Sequence, residues 1–317
     1  MNSRNIKANL RKKHNEWLES IEDKEVKELA KKNSIITGGA ITSLLLGDKP
    51  SDYDIYFLNF ETTVKVAEYY AKRIKSNEKV YVGIGPNKYL YPGEKGQDWA
   101  NLELAKNRVW LVVKSSGIAG SDETEGYAYF ETIANPENVD IENYVDELVG
   151  KLEKEDGKKL YQPVFCSSNA ISLSGKIQII LRFWGDVEEI HQNFDFIHCT
   201  NYWTSNTGYL HLTKESLEAT INKQLIYKGS KYPLASMFRI RKFMQKGWYI
   251  NAGDMLKIGY QIAELDLNDL EVLQDQLIGV DVAYFHSLLL HLKELKEKDP
   301  NFNMGFNYLS TVLERVF

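Results

Sequence analysis

The chain has 317 residues, of which 43% are hydrophobic and 26% charged, a balance that excludes a disordered or fibrous protein. Its net charge of -5 argues against extensive, backbone-driven binding of long nucleic acid, which usually calls for a basic surface. Two cysteines, Cys166 and Cys199, make no disulfide framework and have no metal-ligand spacing, so a reducing cytoplasm is the expected compartment.

The length suggests two domains at about 100–200 residues each. No apolar run approaches the ~18 residues of a membrane span, so no membrane partner is expected. The first residues, MNSRNIKANLRKKHNEW, lack the apolar core of a secretory leader.

In chain order, residues 5–32 read as helix, with Leu10, His14, Trp17, Leu18 and Ile21 on one face. Residues 34–37 form a short strand that ends at Gly38-Gly39. Residues 40–46 form an apolar helix closed by Gly47 as its C-cap. Residues 52–58 alternate Asp52, Asp54 and Tyr56 against Tyr53, Ile55 and Phe57, the period of a strand. A helix follows over 61–75. Strands are expected over 80–84, 108–113 and 128–133, with a turn-rich loop over 83–96 and an acidic stretch over 122–156. Further strands fall at 164–167, 169–174 and 176–183, the last two joined by a turn at Ser174-Gly175. A short helix covers 186–192 and a strand 194–199. After about residue 213 the pattern is helical: 214–223, 234–246, 252–264, 270–277, 282–296 and 308–316. The composition shift near Leu212 divides the chain into 1–212, with an insertion over about 76–161, and a helical domain over 213–317.

The most specific stretch is GGAITSLLLGDKPSDYD, residues 38–54. A strand ends in two glycines and a helix begins at once. A helix N-terminus presents unsatisfied N–H groups, and glycine lets a phosphate approach the backbone. Ser43 adds a hydroxyl. The next strand carries Asp52 and Asp54 on one face, two hard oxygen donors of the kind Mg²⁺ takes together with substrate phosphates. A Gly-Gly pair or an Asp-x-Asp alone is commonly a turn; their order is the signal.

This order resembles the DNA polymerase beta-type nucleotidyltransferase superfamily, in spacing closest to bacterial poly(A) polymerases and CCA-adding tRNA nucleotidyltransferases. Their pattern GG-x-V-R-D-x-L-L-G-x-x-x-x-D-x-D has its glycines at Gly38, Gly39 and Gly47, its leucines at Leu45 and Leu46, and its acids at Asp52 and Asp54. Ile41 stands at the family's valine. Thr42-Ser43 replaces the family's Arg-Asp. Residues 194–197, FDFI, are similar to the family's Arg-Asp-Phe-Thr strand without the arginine, and Asp195 is then the implied third carboxylate. Residues 238–248, FRIRKFMQKGW, are similar to its R-A-x-R-F-x-x-x-x-G-F helix, with Arg239 and Lys242 at the basic positions. The combined pattern is also similar to nucleotidyltransferases predicted in bacteriophage genomes.

The resemblance implies an α/β (α+β) fold, a nucleotidyltransferase-type mixed sheet with an insertion, followed by a helical C-terminal domain. It implies transfer of a nucleoside monophosphate from an NTP to a hydroxyl, with pyrophosphate released. Asp52, Asp54 and Asp195 would be catalytic and hold Mg²⁺ or Mn²⁺. Gly38, Gly39, Ser43, Arg239 and Lys242 would bind the nucleotide's phosphates. The acceptor is expected to be a short RNA or a protein. Two alternatives stand beside this reading: AMP transfer to protein on the same fold, and an inactive binding or structural protein of a phage. A P-loop, a Rossmann fingerprint and a G-x-S-x-G motif are missing. His191, His198, His286 and His291 read as structural.

Overall fold

The computed structural model describes residues 2–74, 80–86, 107–112, 117–118, 161–166, 169–267 and 269–277. The strand expected over 128–133, the acidic stretch, most of the insertion and the helices expected over 282–296 and 308–316 lie outside these residues.

The expected helix over 5–32 is two helices, α1 (Ser3–Ser20) and α2 (Lys24–Asn33). Asp23 makes the break. Its carboxylate accepts from the N–H groups of Glu25 and Val26, so a side-chain N-cap replaces helix continuation. Strand β1 (Ser34–Thr37), helix α3 (Gly39–Leu46) and strand β2 (Tyr53–Phe57) follow as the sequence predicts. Gly47 closes α3 in the left-handed conformation at φ 89°. Helix α4 (Phe60–Ala71) is N-capped by Asn59, which accepts from Thr62 N–H.

Strands β3 (Tyr81–Pro86) and β4 (Asn107–Val112) pair with each other in a separate antiparallel ribbon. Strands β5 (Gly117–Ile118), β6 (Pro163–Cys166), β7 (Ala170–Leu173) and β8 (Ile177–Trp184) belong to the main sheet. After the capping-boxed helix α5 (Val187–His191) come two short strands that the sequence does not announce, β9 (Tyr202–Thr204) and the edge strand β10 (Leu210–His211). The eight strands run in the order β10-β9-β1-β2-β8-β7-β6-β5. Strands β2 and β8 are parallel and the other neighbours antiparallel, which is the expected mixed α/β sheet.

Alternation on β2 sorts the two faces. Tyr53, Ile55 and Phe57 enter the main core with Ile6, Leu10 and Trp17 of α1 and Val66 and Tyr70 of α4. Trp17 Nε1 donates to Tyr70 Oη at 2.8 Å, tying α1 to α4 inside that core. On the opposite face Tyr56 packs with Ile35, Val187 and Ile190. Asp54 shares this second face, opposite Thr37 in the β1–β2 register.

The strand expected over 194–199 is not formed. Phe196 makes one isolated bridge to Tyr227, and Ile197–Cys199 is a 3₁₀ turn. Alternation in Phe-Asp-Phe-Ile imitates a strand, but among the described residues no long partner strand lies beside it. The chain continues through α6 (Lys214–Asn222), β11 (Gln224–Leu225), α7 (Pro233–Gln245), β12 (Tyr249–Ile250), α8 (Ala252–Ala263) and α9 (Leu270–Leu277). A third core joins Phe196, Leu225, Tyr227, Ile240, Trp248 and Ile258, with Phe243 at its edge. The sequence of α7 and the turn after it predicts Phe238, Phe243 and Trp248 as the inward residues; Trp248 is in this core and Phe243 packs against it, whereas Ile240 takes the place of Phe238, which is half-buried outside it. Among the described residues no helix is long and apolar enough to cross a membrane.

Candidate active site

Strand β1 ends at Thr37, and the chain turns at Gly38 into α3. Gly38 has φ 89° and ψ -152°, a region that residues with a β-carbon essentially avoid. A β-carbon there would also stand 3.2 Å from Asp54 Oδ2. The backbone conformation therefore requires glycine, and the close contact shows the start of α3 brought against the carboxylate on β2. At Gly39 a β-carbon would meet nothing within 4 Å, so the space in front of the helix start is open.

The two glycines differ in their hydrogen bonding. Gly38 N–H donates to Cys199 O at 3.1 Å, so Gly38 shapes the turn and its donor is already engaged. Gly39, Ala40 and Ile41 occupy the first turn of α3, where N–H groups have no intrahelical acceptor. Ser43 stands one turn behind Gly39 on the same face and is half-buried. Its neighbour Thr42 is structural: the Thr42 hydroxyl donates to His198 O at 2.8 Å.

Asp52 is exposed at the entry to β2, and its carboxylate accepts from the Ser51 hydroxyl at 3.0 Å. Asp54 keeps some exposure but has protein on most sides. Its carboxyl is pushed well above the usual range, first by desolvation and then by the negative charge of Asp52, while Arg239 opposes both. The two carboxylates therefore sense each other, as their strand spacing predicts. Desolvation also raises the Tyr56 phenol, next along the strand on the same face, and Asp54 adds to that shift.

Asp195 and Arg239 are the other half of the site. Arg239 Nη1 donates to Asp195 Oδ2 at 2.6 Å, and the two side chains are 33% and 8% exposed. The guanidinium also acts electrostatically on Asp54, Tyr56 and Cys199. The structure thus brings Gly38, Asp52, Asp54, Asp195 and Arg239 into one neighbourhood. Lys242 is half-buried one turn further along α7, and Arg241 is exposed.

Cys199, Tyr56 and His198 complete the surroundings, and the sequence gives no local sign of their place. Burial raises the Cys199 thiol, and the negative charge of Asp195 adds to it. His198 is fully buried against Trp248, Phe243 and Phe196. Its two ring nitrogens have no hydrogen-bond partner among the described residues, and desolvation lowers its pKa to about 4.

The donor set can be weighed against a divalent cation. Asp52 and Asp54 are hard oxygen donors on one side of β2, and Mg²⁺ commonly takes one or two carboxylates with water and phosphate completing its shell. The pair fits that requirement. Among the described residues, no group of three or more His, Cys, Asp or Glu side chains is arranged to hold a metal. Asp195, the third carboxylate of the sequence reading, is instead bound by Arg239.

Comparison with known proteins adds three findings. A curated relative, Gabija anti-defense 2 of Bacillus phage SPbetaL7, is 27% identical over 131 residues, or 41% of this chain. That match spans 32% of the relative's own length. Two solved structures align with 92% of this chain and 57% of theirs: a Thermotoga maritima CCA-adding enzyme complexed with tRNA (TM-score 0.35, 11% identity) and a tRNA-processing enzyme with CTP (TM-score 0.34, 13% identity). A family model described as Gabija anti-defense 2 family protein matches residues 8–223. That span holds both glycines and all three aspartates of the site and stops before Arg239. The chain belongs to the Gabija anti-defense 2 family.

Proposed function

We propose that the protein is a metal-dependent nucleotidyltransferase that moves a nucleoside monophosphate from an NTP to a hydroxyl acceptor and releases pyrophosphate. The observation that carries this reading is the placement of Gly38 against Asp54, which sets a helix start beside two carboxylates close enough for the charge of Asp52 to raise the Asp54 carboxyl. In this reading the catalytic unit covers residues 1–212 with an insertion over 76–161, and a helical unit follows over 213–317.

The roles follow from chemistry. Asp52 and Asp54 would hold Mg²⁺ or Mn²⁺, which lowers the pKa of the attacking hydroxyl and offsets charge on the leaving phosphates. The first-turn N–H groups of α3, beginning at Gly39, would donate to the β- and γ-phosphates, and Ser43 lies one turn behind them. Gly38 would keep its β-position empty so that carboxylate and phosphate can meet. Arg239 and Lys242 would add positive charge across the site. Asp195 would act through this same cluster.

The net charge of -5 favours a short RNA or a protein hydroxyl as acceptor, since long RNA requires many phosphate contacts. The family is named for anti-defense, and we infer that the transferred nucleotide serves that role inside a host cytoplasm. The test is to incubate the protein with each labelled NTP, Mg²⁺ and total cellular RNA or protein. Label appearing on a macromolecule with pyrophosphate release, and absent with the Asp54→Asn chain, supports transfer. Absence of label from every NTP with either acceptor pool counts against it.

A further inference from the structure

The pairing of Asp195 with Arg239 changes the role that the sequence assigns to Asp195. Both partners are held by the same small core. Lys228 N–H donates to Asp195 O at 2.8 Å, and Ile197 N–H donates to Ile226 O at 3.1 Å. Phe196, the next residue, packs with Ile240, the residue after Arg239. The backbones carrying the acid and the base are therefore fixed relative to each other before any ligand arrives. The carboxylate is almost fully buried, whereas 33% of the arginine side chain is exposed.

A guanidinium is a rigid, planar fork of N–H donors, so a short bond from Nη1 to a buried carboxylate restricts the orientation of the whole plane. A divalent cation at Asp195 would share one buried carboxylate with a guanidinium already bonded to its Oδ2 at 2.6 Å, so two positive charges would face each other across it. An anion approaching the exposed third of the Arg239 side chain meets an attracting charge instead of a repelling one. Asp54, which feels the same guanidinium, places that anion beside the carboxylate pair.

We propose that Asp195 is a positioning residue for Arg239, holding the guanidinium toward the substrate's phosphates, and that it is not a third metal ligand. This inference rests on the nucleotidyltransferase reading of the Asp52–Asp54 pair. It makes the metal site a two-carboxylate site and gives the buried acid a role in anion recognition.

The test separates metal from phosphate. Mn²⁺ alone, and inorganic tripolyphosphate with Mg²⁺, are titrated by calorimetry into the full chain and into the Asp195→Asn, Arg239→Ala, Arg239→Lys and Asp54→Asn variants. Asp195→Asn should leave Mn²⁺ affinity within about twofold and lower tripolyphosphate affinity about tenfold, the scale of one charge-assisted hydrogen bond. The double variant Asp195→Asn with Arg239→Ala should bind tripolyphosphate no worse than Arg239→Ala alone, a non-additivity that a general loss of folding does not produce. Arg239→Lys keeps the charge without the fork and should recover only part of the affinity, which reads the same contact even where Asp195→Asn folds poorly.

An Asp195→Asn chain that loses Mn²⁺ affinity as severely as Asp54→Asn would overturn the inference, as would one that keeps wild-type tripolyphosphate affinity. A wild-type chain that binds Mn²⁺ but not tripolyphosphate would overturn it and leave the carboxylate pair standing. A wild-type chain that binds neither would overturn both this inference and the nucleotidyltransferase reading.

Discussion

Gly38 lies so close to Asp54 that a β-carbon on the glycine would stand 3.2 Å from the carboxylate oxygen Oδ2. With φ at 89°, an alanine at 38 meets both backbone strain and this contact. Gly38→Ala should cost about 1–3 kcal/mol of stability and weaken NTP binding. Gly39→Ala has open space and should leave the melting temperature unchanged or slightly higher, while its methyl group blocks phosphate approach. Thermal melts beside NTP titrations check the contrast. Equal destabilisation by both substitutions would remove the distinction drawn between the two glycines.

Asp54→Asn should abolish transfer and leave the fold intact. The sign at neutral pH follows from its raised pKa. The folded state binds more protons than the unfolded state above the ordinary carboxyl pKa, so the Asp54 contribution to stability falls as pH rises toward the raised folded value. Removing the charge should therefore hold or raise the melting temperature at pH 7, by about 2–4 °C for each kcal/mol relieved. Asp52→Asn should also abolish transfer, with a smaller stability gain because Asp52 is exposed. A collapse of both variants on heating would assign the pair a structural role.

His198 gives a pH prediction of the opposite sign. Its folded pKa of about 4 lies below the ordinary 6.5, chiefly through desolvation. The unfolded state therefore binds more protons between those values, and stability falls as pH drops from 6.5 toward 4. His14 and His191, each lowered to about 4 by burial, act in the same direction. His198→Phe keeps an aromatic ring against Phe243 and Trp248 and should reduce the acid loss by roughly 3 kcal/mol. Denaturant unfolding at pH 4 and pH 7 measures it. An unchanged difference between the two pH values would show that His198 does not carry its share.

The main core offers a test independent of catalysis. Trp17→Phe removes the donor to Tyr70 Oη and leaves a buried hydroxyl without that partner, costing about 1–3 kcal/mol. Tyr70→Phe should cost a similar amount, and the double substitution less than the sum of the two. Strict additivity would mean that the bond contributes nothing to joining α1 and α4.

Local features were legible in the sequence and distant ones were not. The β1-Gly-Gly-α3-Gly47-β2 order could be read because turn glycines and strand alternation act over a few residues. Asp23 broke the first helix although the apolar spacing continued through Ile21, since capping competed with periodicity. Residues 194–199 alternate like a strand but, among the described residues, pair only through the Phe196–Tyr227 bridge, and partners cannot be read from alternation. Strands β9 and β10 are too short to show a period. The Asp195–Arg239 pair joins residues 44 positions apart, so its members could be named as site residues but not as each other's partners.

The most direct measurement of the central claim is calorimetric titration of the wild-type chain with each NTP, with and without Mg²⁺ or Mn²⁺, beside the Asp54→Asn chain. The account predicts binding of at least one NTP only with metal present, a matching rise in melting temperature, and loss of the metal-dependent part in Asp54→Asn. NTP binding that is equal with and without metal and unaffected by Asp54→Asn, or no binding of any NTP at saturating metal, would contradict it.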